Sequence, residues 1–302
     1  MMMRRSPDGP GAGSGPAPRA GPPGELEGFF GPASVTWRVH ADPLLMLAGL
    51  RALLLQATHP LAMAGFVHHS NFRDDPWGRL NRTAEYIGVT TFGTTLEAMQ
   101  AGARVRAIHS RVAGVTSDGA GYRADDPDLL AWVHCCLVAS FLDVVRRGGL
   151  ALRPQEQDAY IAEQVRSAVL VGLEPEHVPR DRAGLAGYFQ AVGPALRVTP
   201  AARSAALLVL APPMPAAIAL ATPARPAWVA MAGLAFASLP AWVRQMYALP
   251  DLPGTAGLNQ AGATLGLRAL RVTLRGVQAM VPPLREGPHL RAARLRLGGP
   301  AG

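Results

Sequence analysis

The sequence predicts an all-α fold, one large helical domain, and three observations carry that expectation. Apolar residues recur at three- and four-residue steps through most of the chain, strand-type alternation is nearly absent, and helix start and stop signals bracket the periodic segments. The 302 residues, 49% hydrophobic and only 17% charged, suffice for one extensive buried core. We divide the chain into a Pro/Gly-rich leader (1–28), a helical body (29–281) and an arginine-rich tail (282–302).

Taken in order, the leader is rich in Pro, Gly and Ala. No apolar segment follows Arg4 and Arg5, so it reads as disordered and not as a signal peptide. Residues 35–40 give the one short strand candidate, with Val35, Trp37 and Val39 on one face. Residues 44–67 are long enough to cross a bilayer, but Arg51, Gln56, His59 and Pro60 interrupt them, which suits a buried core helix better. A helix over about residues 96–112 places Ala101, Val105, His109 and Val112 along one stripe. The next helix has the clearest ends. Asp126 caps it, Pro127 fills its first turn, Arg146 and Arg147 sit in its last turn, and Gly148 stops it. Its buried face is expected to hold Leu130, Val133, Cys136 or Leu137, and Phe141. Residues 154–171 form another helix, with Tyr160, Val165 and Val169 turned inward, and one beginning near Asp181 carries Leu185, Tyr188 and Phe189. Residues 205–221, broken by Pro212, Pro213 and Pro215, and residues 227–243, with Gly233 and Pro240, are read as buried core helices too.

Charge excludes several chemistries. The formal net charge is +8, yet there is no lysine, so Schiff-base, lysine-base and Walker-type phosphate chemistry are all ruled out. Much of the excess lies near the C-terminus, where Arg268, Arg271, Arg275, Arg285, Arg291, Arg294 and Arg296 face only Glu286. Such a tail is either a solvated, frayed terminus or a peripheral contact for an anionic membrane. No nucleic-acid-reading motif accompanies it, and nucleic acid is not an expected partner. The two cysteines, Cys135 and Cys136, are neighbours, a placement unsuited to a disulfide. Reduced thiols favour a cytoplasmic setting.

The chemistry-bearing residues gather in one half of the chain. Three of the eight histidines, His59, His68 and His69, fall within eleven positions in or beside apolar helix. Imidazole is costly to bury unpartnered, so this cluster invites a ligand, a metal or a hydrogen-bond network. The plainer readings are that His134 and His109 are satisfied core residues, and that Arg79 and Arg82 merely pair with Asp74 and Asp75. No zinc spacing, nucleophile elbow, dinucleotide fingerprint or P-loop is present.

Several short motifs, in this order and spacing, resemble the MpaB and latex-clearing-protein (rubber oxygenase) family. They are Arg51-Ala52-Leu53-Leu54-Leu55-Gln56-Ala57-Thr58-His59-Pro60, the pair His69-Ser70, Asp75-Pro76-Trp77-Gly78-Arg79-Leu80-Asn81-Arg82-Thr83, Phe92-Gly93, His109 with Gly114, Tyr122-Arg123-Ala124-Asp125-Asp126-Pro127 and Trp132-Val133-His134. Val178-Pro179 with Tyr188 matches more weakly, and the resemblance covers roughly residues 29–247.

The resemblance implies a globin-like helical core, a b-type haem, and oxidative cleavage of carbon–carbon double bonds in isoprenoid chains. By the same resemblance, His109 is the proximal iron ligand, and Arg79 and Thr83 lie beside the haem. Arg79, Arg82 and Thr83 are the implied catalytic positions. Arg82 stands where the family carries a lysine able to cap the iron, and a guanidinium has no lone pair to offer. The distal position is then left to water, His59 or His69. No carboxylate lies between Arg51 and Asp74 to serve as the family's distal glutamate. Met63 and Phe66 suit a small apolar substrate consumed with O₂, and the sequence names no electron donor. Two other functions stay open: a non-catalytic haem or lipid carrier, and a cofactor-free protein working at a membrane surface.

Overall fold

Two apolar helices, α2 (Leu45–Gln56) and α6 (Pro127–Arg147), press together at the centre, and the other elements assemble round them. The computed structural model describes residues 28–248, 255–280 and 286–298. The leader therefore lies outside the described residues apart from Gly28, as do residues 282–285 and 299–302 of the tail. The expected all-α fold is borne out. Among the described residues there are fourteen α-helices and one two-stranded hairpin, β1 (Ala113–Val115) with β2 (Gly121–Arg123), antiparallel and in register Gly114 to Tyr122.

The first helix, α1 (Val35–His40), corrects the strand expected there. Ser34 caps it by accepting the Trp37 N–H, and the Glu163 carboxylate accepts the N–H groups of Val35 and Thr36 at 3.1 and 2.7 Å. Val35, Thr36, Trp37, Val39 and His40 are all buried and only Arg38 is exposed, so the alternation of apolar residues here does not report the period.

The run 44–67 is not one helix. It breaks into α2 and α3 (Pro60–His69), which bend by 108°. Proline lacks the N–H to continue α2, and His59 instead becomes the N-cap of α3. The carbonyls freed at the end of α2 are collected by buried side chains. Tyr247 donates to Leu54 at 2.7 Å, Thr58 to Leu55 at 2.8 Å, and the Trp132 indole to Gln56 at 3.0 Å.

After α3 come α4 (Pro76–Phe92) and α5 (Thr95–His109), the latter opened by a full capping box between Thr94 and Glu97. Helix α6 runs between the ends the sequence predicts, with Asp126 accepting from Asp128 and Leu129. Leu130, Cys136 and Phe141 are buried as expected, but Val133 is exposed because it borders an open cavity. In α7 (Pro154–Leu170) Tyr160 is buried, whereas Val169 faces solvent; Ala168 and Leu170 take the inward places. Helix α8 (Arg182–Val192) starts at the Asp181 cap.

Residues 205–221 also depart from expectation. Helix α9 (Pro200–Leu210) packs on the body, but α10 (Ala216–Ala221) has no buried residue, so this segment is not core throughout. Segment 227–243 divides between α11 (Ala224–Ala237) and α12 (Ala241–Met246) at Ser238 to Pro240. Arg51, nearly inaccessible in α2, ties these layers together. It donates to Ser140 of α6 at 2.8 Å and to the Ser238 carbonyl after α11 at 3.3 Å, and it pairs with Asp143 at 3.4 Å.

The C-terminal helices are docked. From α13 (Ala256–Met280), Arg271 forms a buried ion pair with Asp42 at 2.6 Å. Helix α14 (Pro288–Arg296) lies on α4, which corrects the reading of a frayed, solvated terminus. Leu290 and Ala293 join Trp37 and Phe92 in one apolar cluster, His289 reaches Glu85 at 2.8 Å, and Arg296 donates to the Phe92 carbonyl at 2.7 Å. Gly88 makes this approach possible, since a Cβ there would meet the His289 ring at 2.5 Å.

Two predictions follow from the packing. Truncation after Met280 should lower the domain's unfolding free energy by ~3 kcal/mol, because it uncovers Trp37 and Phe92. A urea midpoint identical to that of the full chain would show that α14 contributes nothing. Burial also lowers the pKa of His40 to about 3 and of His134 to about 4. The unfolded chain then binds more protons than the folded one below about pH 6.5. Stability is complete above that pH and should fall towards pH 4 by about 1.4 kcal/mol per pH unit for each histidine. Denaturation at stepped pH measures the slope, and His134→Phe should make it shallower by one histidine's share.

Candidate functional site

The bend between α2 and α3 leaves a space that no side chain fills, a cavity of about 420 Å³. Its size falls within the ordinary range for small-ligand sites, roughly 300–1,000 Å³. The walls are mostly apolar: Leu53 and Leu54 from α2, Met63 and Phe66 from α3, Leu129 and Leu130 from α6, and Ala205, Ala206 and Val209 from α9. Polar groups include Gln56 on α2, His69 on α3 with Ser70 and Asn71 just after it, Arg79 and Arg82 on α4, His109 at the end of α5, and Tyr122 on β2.

His109 is the last residue of α5, and its ring borders the cavity. Its Nδ1 is buried without a hydrogen-bond partner among the described residues. Burial pushes its pKa down, the neighbouring Arg79 charge pushes the same way, and Asp125 opposes them more weakly. The imidazole is thus held neutral, with a lone pair available.

Arg79 is exposed and borders the cavity. Its guanidinium lies 5.6 Å from the centre of the Phe66 ring and meets no carboxylate among the described residues. Burial, with Arg82 second, lowers its pKa from the ordinary arginine value. Arg82 also borders the cavity but is mostly exposed, and it pairs with Asp75 at 3.2 Å. Thr83 lies one turn beyond Arg79 and donates to its carbonyl at 3.1 Å. Its side chain lines an adjoining cavity of about 70 Å³, which Arg79 borders as well.

The other histidines separate cleanly. His59 is not part of the cavity wall; its Nδ1 accepts the Ala62 N–H at 3.5 Å and its ring packs 5.9 Å from Trp132. His134 is buried within α6 and does not line the cavity. His69 does, and its Nε2 shares a hydrogen bond with the Tyr122 hydroxyl at 3.2 Å. His68 approaches the same hydroxyl through Nδ1 at 2.7 Å, so one buried phenol bridges two exposed imidazoles.

Tyr122 lies in a motif that carries the family resemblance, but the sequence assigned it no role. Its hairpin had a signal, the Asp118-Gly119 turn flanked by Val115 and Tyr122, with Gly119 at φ 85°. Gly114, opposite Tyr122 in register, has no room for a side chain, because a Cβ there would collide with the Tyr122 hydroxyl. Among the described residues, no three His, Cys, Asp or Glu side chains come together as a metal-binding group.

Comparison with known proteins identifies the family. The family model described as ER-bound oxygenase mpaB/B'/Rubber oxygenase, catalytic domain, matches residues 37–276. Two uncharacterized mycobacterial proteins, one from Mycobacterium bovis and one from Mycobacterium tuberculosis, are each 27% identical over 124 residues, 41% of this chain and 49% of theirs. The chain thus spans about half the length of the curated relatives it matches. No solved structure matches it.

Gly114→Ala should displace the Tyr122 ring, costing ~1–3 kcal/mol and releasing both histidines. Histidine ring resonances in an NMR titration report the release. Unchanged resonances for His68 and His69 would mean that the hairpin accommodates the methyl group.

Proposed function

The chain belongs to the mpaB and rubber oxygenase catalytic-domain family, a family of oxygenases, and on that premise we propose that it holds haem b in the main cavity, with His109 as the axial ligand, and uses O₂ to oxidise a small apolar, isoprenoid- or lipid-like substrate. The observation that carries this reading is the unpaired, neutral His109 nitrogen in a largely apolar cavity, with the unpaired Arg79 cation nearby.

The residues present fit such a group. A haem needs one axial nitrogen, an apolar enclosure, and cations or hydroxyls for its propionates. His109 offers the first, the α2, α3, α6 and α9 side chains the second, and Arg79 with Thr83 the third. When bound, haem iron supplies the activation of O₂, chemistry that no side chain here carries. The protein's part is narrower. The apolar wall excludes water and receives the substrate, and the Arg79 charge helps keep His109 unprotonated. Arg82 holds its proton and its Asp75 partner, so it acts as a fixed charge at the rim and not as an iron ligand. His69, bonded to Tyr122 and through it to His68, can pass a proton between the cavity and solvent at its Nε2, which suits a site without a carboxylate base. The reading places the protein in the cytoplasm, in keeping with two free, buried thiols at Cys135 and Cys136.

Reconstitution with haem tests the proposal. The wild-type protein should take up haem and develop a Soret band. His109→Ala should stay helical by circular dichroism and lose most of the haem, while His134→Ala keeps it. Full occupancy and an unshifted band in His109→Ala would overturn the assignment and pass the ligand role to His69.

A further inference from the structure

We propose that the ridge formed by the end of α9, the loop after it and α10 docks onto the surface of an anionic lipid bilayer. Residues 204–224 contain no charged side chain, and no carboxylate occurs anywhere between Asp181 and Asp251. The ridge is apolar and open. Leu207 is 67% exposed, Ile218 46% and Leu220 87%, and none of α10 is buried. Scattered exposed leucines are ordinary on soluble surfaces; an uninterrupted apolar segment that carries them together is not.

Charge selects the occupant. Arg203 and Arg225 flank the uncharged segment, both exposed, and neither meets a carboxylate among the described residues. Leucine and isoleucine at the acyl boundary with arginine at the phosphates is the arrangement of an interfacial element. A second copy of the chain suits the ridge less well. A twofold contact would bring four arginines together with no carboxylate from the same segment to neutralise them.

The base of the ridge is firmly built. The Trp77 and Trp228 rings meet edge-on at 4.6 Å, and their indole N–H groups donate to the carbonyls of Pro213 at 2.8 Å and Val209 at 3.0 Å. Helix α9 joins this surface to the cavity, turning Ala205, Ala206 and Val209 inward and Leu207 outward. The delivery of an apolar substrate from the bilayer rests on the function proposed above, but the docking itself does not. The C-terminal tail is a weaker candidate for the same contact, because Arg271, Arg294 and Arg296 are engaged by Asp42, Glu286 and the Phe92 carbonyl.

Flotation of the full chain with vesicles decides the matter, using phosphatidylcholine alone and phosphatidylcholine mixed with phosphatidylglycerol. Wild type should float with the mixed vesicles, and less so as salt rises. The double variant Leu207→Glu/Leu220→Glu should lose at least about tenfold in binding. Leu265→Glu, an exposed apolar position on α13, should bind as wild type does. Arg203→Gln/Arg225→Gln should lose the preference for anionic vesicles alone. All substituted residues are exposed, and circular dichroism checks that each variant is folded. Three results would overturn the proposal: no flotation of wild type, undiminished flotation of the leucine variant, or a wild-type dimer that the leucine variant splits. Flotation does not depend on haem. A missing Soret band with intact flotation counts against the cofactor, and the reverse counts against the ridge.

Discussion

The break between α2 and α3 is the constraint on which the rest of the site depends. An apolar run long enough for one straight helix is turned through 108° at Ala57 to His59, and that turn opens the cavity. Proline at position 60 makes the break unavoidable, but a helix end inside a core leaves carbonyls without partners. Each is answered by a buried donor from far along the chain: Tyr247 for Leu54, Trp132 for Gln56, and Thr58 locally for Leu55. The Thr58 carbonyl in turn accepts the Arg197 N–H at 2.8 Å. Helix α6 and the segments around Arg197 and Tyr247 are thus held against the elbow by the same bonds that make the elbow affordable. The His59 N-cap completes it, which explains a conspicuous histidine without assigning it a ligand role.

That distinction shows what the sequence could and could not reveal. Helix α6 was legible end to end because Asp126, Pro127 and Gly148 act locally, and its caps need no tertiary partner. The first helix was not legible, since its N-terminal donors are answered by Glu163, which is distant in sequence. A six-residue helix buried at every position but Arg38 shows too little amphipathic period to read. The C-terminal arginines misled for a related reason. Counting charge treats Arg271 and Arg296 as free, whereas one is buried against Asp42 and the other bonded to a carbonyl. The histidine cluster drew attention as a group, yet the fold divides it. His59 caps a helix, His68 and His69 meet Tyr122, and His109 arrives from another helix altogether. Residues that converge from α3, α4, α5 and β2 have no spacing of their own, so their convergence had no local signature.

The electrostatic character of the cavity follows from what is missing at its wall. Arg79, Arg82, His69 and His109 border it, no carboxylate does, and Asp75 is paired with Arg82. Two consequences pull together. Positive potential and burial both disfavour protonation of His109, so its lone pair is available over a wider pH range than an exposed histidine's would be. The same potential leaves Arg79 short of an anion, and an anionic group carried on a mostly apolar body would relieve it. A planar cofactor with carboxylate arms meets both conditions at once, which neither a bare metal ion nor a purely hydrocarbon ligand does.

The apolar ridge and the cavity also share a physical logic. A helix whose inner face lines a cavity must keep that face small and uncharged, and Ala205, Ala206 and Val209 do so. Such a face gives α9 little packing area of its own, and the Pro-rich loop after it adds few backbone hydrogen bonds. Firmness at this wall therefore has to come from elsewhere, and the two tryptophans supply it. Trp77 stands on the first turn of α4, two residues before Arg79, and reaches across to the carbonyl of Pro213. Trp228 on α11 reaches back to Val209. These indoles join the wall to the adjoining cavity, which Arg79 also borders.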